Sequence, residues 1–305
     1  MKVFNIDFMG KRRIAAVASI VFVVLATADI FVQGLNLGLD FTGGTLVEVE
    51  FPESADPGAV RRYLEDEGFE NGVVQFFGSD RDLLVRMPSQ QDRDQAGMGD
   101  AIFSSLQSLE PGVVLKQSNY VGPAVGEELR DDAGLALLAA MGVIMVYILF
   151  RFTKQFAVAA VVALAHDVLV VVGCFSLFQW TFDLAVLAAV LAVIGYSLND
   201  TIVVSDRIRE NFRNMRRATP VEVINRSLNE VFGRTLVTSL TTLLVLVALI
   251  LAGGETIRGF ATALTIGVVV GTYSSIYVAA NMILLLKISR EDLMVPEKEG
   301  ETQAP

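Results

Sequence analysis

Asn199 and Asp200 stand side by side in the stretch VIGYSLNDTIVV, residues 193–204, where nearly every neighbour is apolar. A carboxylate at the centre of a bilayer costs about 3 kcal/mol or more, so a chain that keeps one there keeps it for a partner or a purpose. His166 and Asp167 interrupt a second apolar run, and Arg234 opens a third, followed by Thr235, Thr238, Ser239 and Thr242. The spacing i, i+3, i+4, i+7 sets those four hydroxyls on one helix face with Arg234. In general, low dielectric favours the protonated form of an acid, and a nearby guanidinium, which never deprotonates, opposes that. An acid and a permanent cation at matching depth can therefore carry protons, the acid loading and unloading as the cation moves. The same residues also fit a static buried salt bridge, and the hydroxyls alone fit simple helix-to-helix glue. For His166 a satisfied imidazole in a bundle core is the simpler account. Asp167, a mid-depth acid with no evident cation, has no such inexpensive explanation.

The elements that must position these residues are membrane helices. The 305 residues are 53% hydrophobic, with a mean hydropathy of +0.53. One cysteine, Cys174, and one histidine, His166, leave no disulfide framework, no thiolate metal site and no multi-His metal cluster, and no cofactor is expected. A net charge of −10 argues against nucleic acid, whose phosphates need basic surface. A crossing helix needs about 20 apolar residues, and six stretches qualify: 14–33, 133–151, 156–178, 183–204, 234–253 and 259–286. No amphipathic period breaks them, which disfavours helices of a soluble core. The basic start and the Ala26-Thr27-Ala28 triplet of the first stretch resemble a cleavable leader, but the apolar run resumes at 30–32 and favours a retained anchor.

Lys and Arg concentrate in the N-terminus (1–13), the turn at 151–154 and the loop after the fourth span, which puts both termini in the cytoplasm. Trp180 and Phe182 then suit an aromatic belt on the outer side. The segment 34–132 falls outside and holds 19 Asp and Glu against seven Lys and Arg, 12 units negative. Within it, GTLVEVEF (44–51) alternates with period two, as a half-buried strand should. DPGAVRRYLEDEGF opens with Asp56 as a cap and Pro57 at the first helical position. GVVQFFGS and DLLVRMP read as strands joined by a turn over 78–82. DRDQAGMGDAIFSSLQSL reads as a second helix, weakened by its two glycines, and GVVLKQSNYVG as a last strand. The order β-α-β-β-α-β is the ferredoxin-like arrangement. The expected architecture is thus an α-helical polytopic membrane protein with six transmembrane helices and one ferredoxin-like α+β periplasmic domain between helices one and two. The polar tail 287–305 is expected to be cytoplasmic and disordered. LGLDFTGG (37–44) follows the first span directly. Asp40 could cap a turn there, and Gly43 and Gly44 permit tight backbone geometry, so the segment could hinge the outer domain to the bundle. Gly267 and Gly271 form a small-xxx-small face in the sixth span.

GLDFTGG, AHDV, GYSLNDTIVVSDRIREN and NRSLNEVFGRTLVTSLTTL together resemble the SecF side of the SecD/SecF family, within the resistance–nodulation–division superfamily. The resemblance covers nearly the whole chain apart from the acidic tail. It implies a late role in Sec-dependent export in the bacterial inner membrane, with SecD and the SecYEG translocon as partners and a translocating preprotein as cargo. It also implies a proton-coupled conformational motor rather than a chemical catalyst. The Asp of SLND and the Arg of RT carry over to Asp200 and Arg234 as the proton pathway, and the HD motif to His166 and Asp167. The coupling ion is H+ or, as in some relatives, Na+. The chain has no SecD-like half, so a SecD carboxylate is expected to complete the site. A small-molecule exporter of the same superfamily and a scaffold of the translocon are the rival readings.

Overall fold

The first apolar stretch forms α1 (Arg12–Val32) in a computed structural model that describes residues 4–89, 97–215 and 217–288. After α1 the chain turns through a short helix, α2 (Leu39–Thr42), into the sheet domain. That domain runs β1 (Gly44–Glu50), α3 (Pro57–Asp66), β2 (Val73–Phe77), β3 (Ser79–Met87), α4 (Met98–Leu109) and β4 (Val114–Val121). The strands lie in the order β2-β3-β1-β4, all antiparallel, the ferredoxin-like order the alternation of elements predicts. Val47, Val49, Leu64, Leu83, Val85, Ile102 and Leu106 are fully buried between the sheet and its two helices.

Local chemistry explains the element ends. Asp56 accepts the backbone N–H of Gly58 at 2.9 Å and caps α3, with Pro57 at its first position. The turn expected over 78–82 is shorter, because β3 starts at Ser79 and Gly78 alone, at φ +88°, reverses the chain. The charged residues that read as turn are instead a cross-strand cluster. Arg81 pairs Glu50 at 3.1 Å, and Lys116 pairs Asp82 at 2.7 Å and Glu50 at 3.2 Å. Residues 92–96 of the expected second helix lie outside the described residues. From Gly97 onward the helix forms despite Gly99, where a Cβ would stand 2.1 Å from Ser118 Oγ. That glycine lets the helix sit directly on the sheet, which outweighs its propensity cost.

Five further elements complete the bundle: α5 (Pro123–Arg151), α6 (Lys154–Leu177), α7 (Leu184–Asn214), α8 (Pro220–Ala252) and α9 (Glu255–Ser274), the last running through a π turn (Ser275–Ala279) into α10 (Ala280–Leu285). With α1 they give six helices long and apolar enough to cross a membrane among the described residues. Three reach about ten or more residues beyond the apolar stretches. Residues 123–132, read as part of the outer domain, form the first turns of α5, and Gly126 packs against Gly43. α7 runs past 204 to Asn214 and α8 starts at Pro220 rather than 234. Polar contacts stabilise these extensions. A Thr219–Glu222 capping box opens α8, and Glu230 accepts from Arg207, Arg226 and Asn211 at 2.6, 2.6 and 2.8 Å. Phe182, read as a belt residue, is buried against Phe41 and Phe175, while Trp180 stacks on Phe178. Of the tail 287–305, residues 289–305 lie outside the described residues.

Candidate functional site

Two acidic positions organise the membrane interior. Asp167, with no exposed surface, has Oδ1 against Nδ1 of His166 at 2.9 Å. Its Oδ2 accepts Ser274 Oγ–H at 2.7 Å and also the hydroxyl of Ser197. Those serines come from α9 and α7, so one carboxylate ties three helices together. Glycine makes the approach possible. A Cβ at Gly267 would stand 2.0 Å from Val193 Cγ2, and one at Gly271 would stand 3.0 Å from Ser197 Cβ. The small-xxx-small face thus brings α9 close enough to α7 for Ser197 and Ser274 to meet Asp167. His166 is buried and stacks on Tyr273, whose hydroxyl donates to Ala15 O at 2.8 Å.

Asp200 lies three residues beyond Ser197 on the same helix, only 3% exposed, and its Oδ2 has no hydrogen-bond partner among the described residues. Arg234 on α8 is within electrostatic reach of Asp200 but forms no ion pair with it. It is exposed at the bundle surface, as is Asn199. The hydroxyl face divides. Thr238 and Thr242 donate to carbonyls of their own helix, at 2.9 Å to Thr235 O and 2.9 Å to Thr238 O. Ser239 bridges helices, meeting Thr272 Oγ1 at 2.7 Å and accepting Tyr196 O–H at 3.2 Å. Thr235 Oγ1, beside Arg234, is buried and unpartnered, as is Thr201 Oγ1 beside Asp200. Asp200 Oδ2 and Thr201 Oγ1 on α7, and Thr235 Oγ1 on α8, thus keep unused hydrogen-bonding capacity. Among the described residues no group of three or more His, Cys, Asp and Glu is placed to hold a metal. Ser197, Ser274, Tyr196 and Thr272 were not singled out from the sequence. The available signal was the i, i+3 relation of Ser197 to Asp200 and of Ser274 to Gly271.

The linker reaches this helix from the other end. Asp40 caps α7 rather than a local turn: its Oδ2 accepts the backbone N–H of Leu184 at 3.0 Å, beside the N-cap Asp183. Gly38 N–H donates to Phe182 O at 2.7 Å, Phe182 N–H to Asn36 O at 2.8 Å, and Arg86 of β3 reaches Leu37 O at 3.0 Å. Gly43 and Gly44 hold φ of +67° and +115°, and a Cβ on either would strike backbone of Pro123 or Met87. The segment 36–44 therefore joins the sheet to α7 by backbone hydrogen bonds and by the side chains of Asp40 and Arg86. Burial pulls the Arg86 guanidinium below the usual arginine range, against the opposing effect of the Asp183 carboxylate.

Comparison with known proteins gives consistent matches. The family model "Protein export membrane protein SecD/SecF, C-terminal" matches residues 102–289, and the SecD/SecF GG motif model matches residues 30–51. A protein translocase subunit SecF of Pseudomonas aeruginosa is 48% identical over 97% of this chain and 96% of its own. One from Escherichia coli O157:H7 is 43% identical over 97% and 93%. The crystal structure of SecDF from Thermus thermophilus, a translocon-associated membrane protein, superposes with a TM-score of 0.83 at 40% identity. It is covered over 94% of this chain, which spans 39% of that longer protein.

Proposed function

This chain belongs to the SecD/SecF family, and from that membership we propose that proton binding at Asp200 drives its part in Sec-dependent protein export. It is a multi-pass protein of the bacterial inner membrane, and SecD is its partner, since the Thermus relative named SecDF carries this region within one longer chain. SecYEG and the translocating preprotein complete the assembly, with the sheet domain on the periplasmic side and both termini in the cytoplasm.

The observation that carries the reading is the buried, unpartnered Oδ2 of Asp200, with the Arg234 guanidinium within electrostatic reach and not bound to it. Ionised, the carboxylate draws Arg234 of α8 toward α7. With a proton on Oδ2 the attraction lapses and the acid becomes a hydrogen-bond donor. The two states thus favour different α7–α8 spacings. α7 transmits the difference, because Leu184 lies 16 residues and about 24 Å of helix from Asp200 and is held by Asp40 of the linker. A shift of α7 then moves the segment 36–44 and the sheet domain with it. Asp167, clasped by Ser197 and Ser274, fixes the pivot between α6, α7 and α9. The exposure of Arg234 and of Asn199 leaves both open to completion of the pathway by SecD. No chemical conversion is assigned to the chain.

The test is preprotein translocation into proteoliposomes holding this chain, SecD and SecYEG, with the proton gradient imposed or collapsed. Asp200→Asn should assemble normally and lose the gradient-dependent fraction. A sodium gradient that restores wild-type transport without a proton gradient would transfer the role to Na+. Undiminished gradient-driven transport by Asp200→Asn would overturn the reading.

A further inference from the structure

A groove of about 720 Å3 runs along the bundle between α1, α6 and the segment that follows the π turn. Ile20, Val24, Leu169 and Leu285 wall it, and the small side chains of Ala16 and Ala165 leave its room. Its volume falls within the range of ligand sites, and it lies open along the side of the bundle. At the membrane boundary farthest from the sheet domain, Arg12 and Arg13 stand at its rim. Neither forms an ion pair with a described residue. Arg12 gives a single N–H to Met9 O at 2.9 Å, which leaves most of its fork free. Asn281 Nδ2 donates to Arg12 O at 3.1 Å and holds the last helix against this rim. By contrast, the guanidinium of Arg207 is committed to Glu210 and Glu230, and that of Arg226 to Glu230.

We infer that this groove binds an anionic phospholipid, with an acyl chain along the apolar walls and the phosphate at Arg12 and Arg13. Two uncommitted guanidiniums above an apolar trough match both ends of such a lipid, since the planar fork binds phosphate oxygens in pairs and basic pockets between membrane helices select anionic headgroups. A zwitterionic lipid satisfies the trough but gives up part of the headgroup attraction. His166 lines the same groove, so the bound chain covers the imidazole side of the Asp167 cluster. The inference is independent of the coupling ion at Asp200.

Native mass spectrometry of the full chain with SecD, in neutral detergent, tests it with dioleoyl phosphatidylglycerol and dioleoyl phosphatidylcholine as probes. At about fivefold per cationic side chain, one phosphatidylglycerol should be retained roughly 30-fold more strongly than phosphatidylcholine. Arg12→Gln with Arg13→Gln should erase the preference, and Ala165→Phe should weaken retention of both lipids. Equal retention of the two lipids by the unaltered protein would overturn the inference, whatever the variants do. So would cross-linking of a Val24→Cys variant to SecD while no lipid is retained.

Discussion

Placing a methyl group on Gly44 is predicted to unfasten the linker from the sheet. At φ +115° an L-residue sits outside its comfortable regions, a strain of roughly 1–3 kcal/mol. The new Cβ would also stand 2.3 Å from the carbonyl oxygen of Met87 and 3.2 Å from Pro88 Cα. Both atoms are backbone and cannot rotate aside, so relief must lift β1 from β3 at its first pair, Thr45 with Met87. Each ladder hydrogen bond lost there costs about 1 kcal/mol. Together these reach about 3 kcal/mol, or roughly a hundredfold in the local opening equilibrium at 1.4 kcal/mol per decade. Hydrogen exchange on the full chain with SecD reads this directly. Protection should fall in β1 and in the last residues of β3 and hold in α6 and α7. Gly134→Ala is the control, since its Cβ would meet nothing within 4 Å in α5. Equal exchange in the Gly44→Ala and Gly134→Ala variants would refute the reasoning.

Three further outcomes follow from the contacts. Ser197→Ala removes one of the three partners of Asp167 and should lower stability by about 1–3 kcal/mol; an unchanged unfolding temperature in detergent would contradict it. Asp40→Ala leaves the first N–H of α7 without its acceptor, at a cost of about 1 kcal/mol, and should speed exchange in the first turn of α7 alone. In the sheet domain the ammonium of Lys116 and then the hydroxyl of Ser79 hold the Asp82 carboxyl below its usual 3.8. Its stabilising contribution is complete above that value and is lost as pH falls through the lower folded one. The protection factors of β3 should therefore carry an acid-limb slope that Asp82→Asn abolishes, and an identical slope in that variant would remove Asp82 from the account.

The sheet domain was legible because each strand and helix carries its own period and cap: GTLVEVE alternates, and Asp56-Pro57 announces α3. The helix extents were not. Hydropathy sees only apolar residues, whereas α7 and α8 continue past the apolar stretch on Arg–Glu contacts and a capping box, which stabilise helix in water as well. The charged turn at 79–82 misled for a related reason, since its partners Glu50 and Lys116 are distant in sequence. Asp200, Arg234, His166 and Asp167 stood out as polar residues in apolar runs. Ser197 and Ser274 did not, because a serine in a membrane helix is ordinary until packing aims it at a carboxylate. The cap that Asp40 makes on α7 spans 144 residues, so no local pattern could reveal its partner.

The central claim is that the proton on Asp200 sets the position of the sheet domain relative to the bundle. Spin labels at Asp66→Cys on α3 and Leu177→Cys at the end of α6, in a Cys174→Ser background with SecD present, measure that distance directly. The unaltered protein should show a distance distribution that shifts between acidic and alkaline buffer, and Asp200→Asn should hold one distribution at both. A pH-dependent shift that persists in Asp200→Asn would contradict the account.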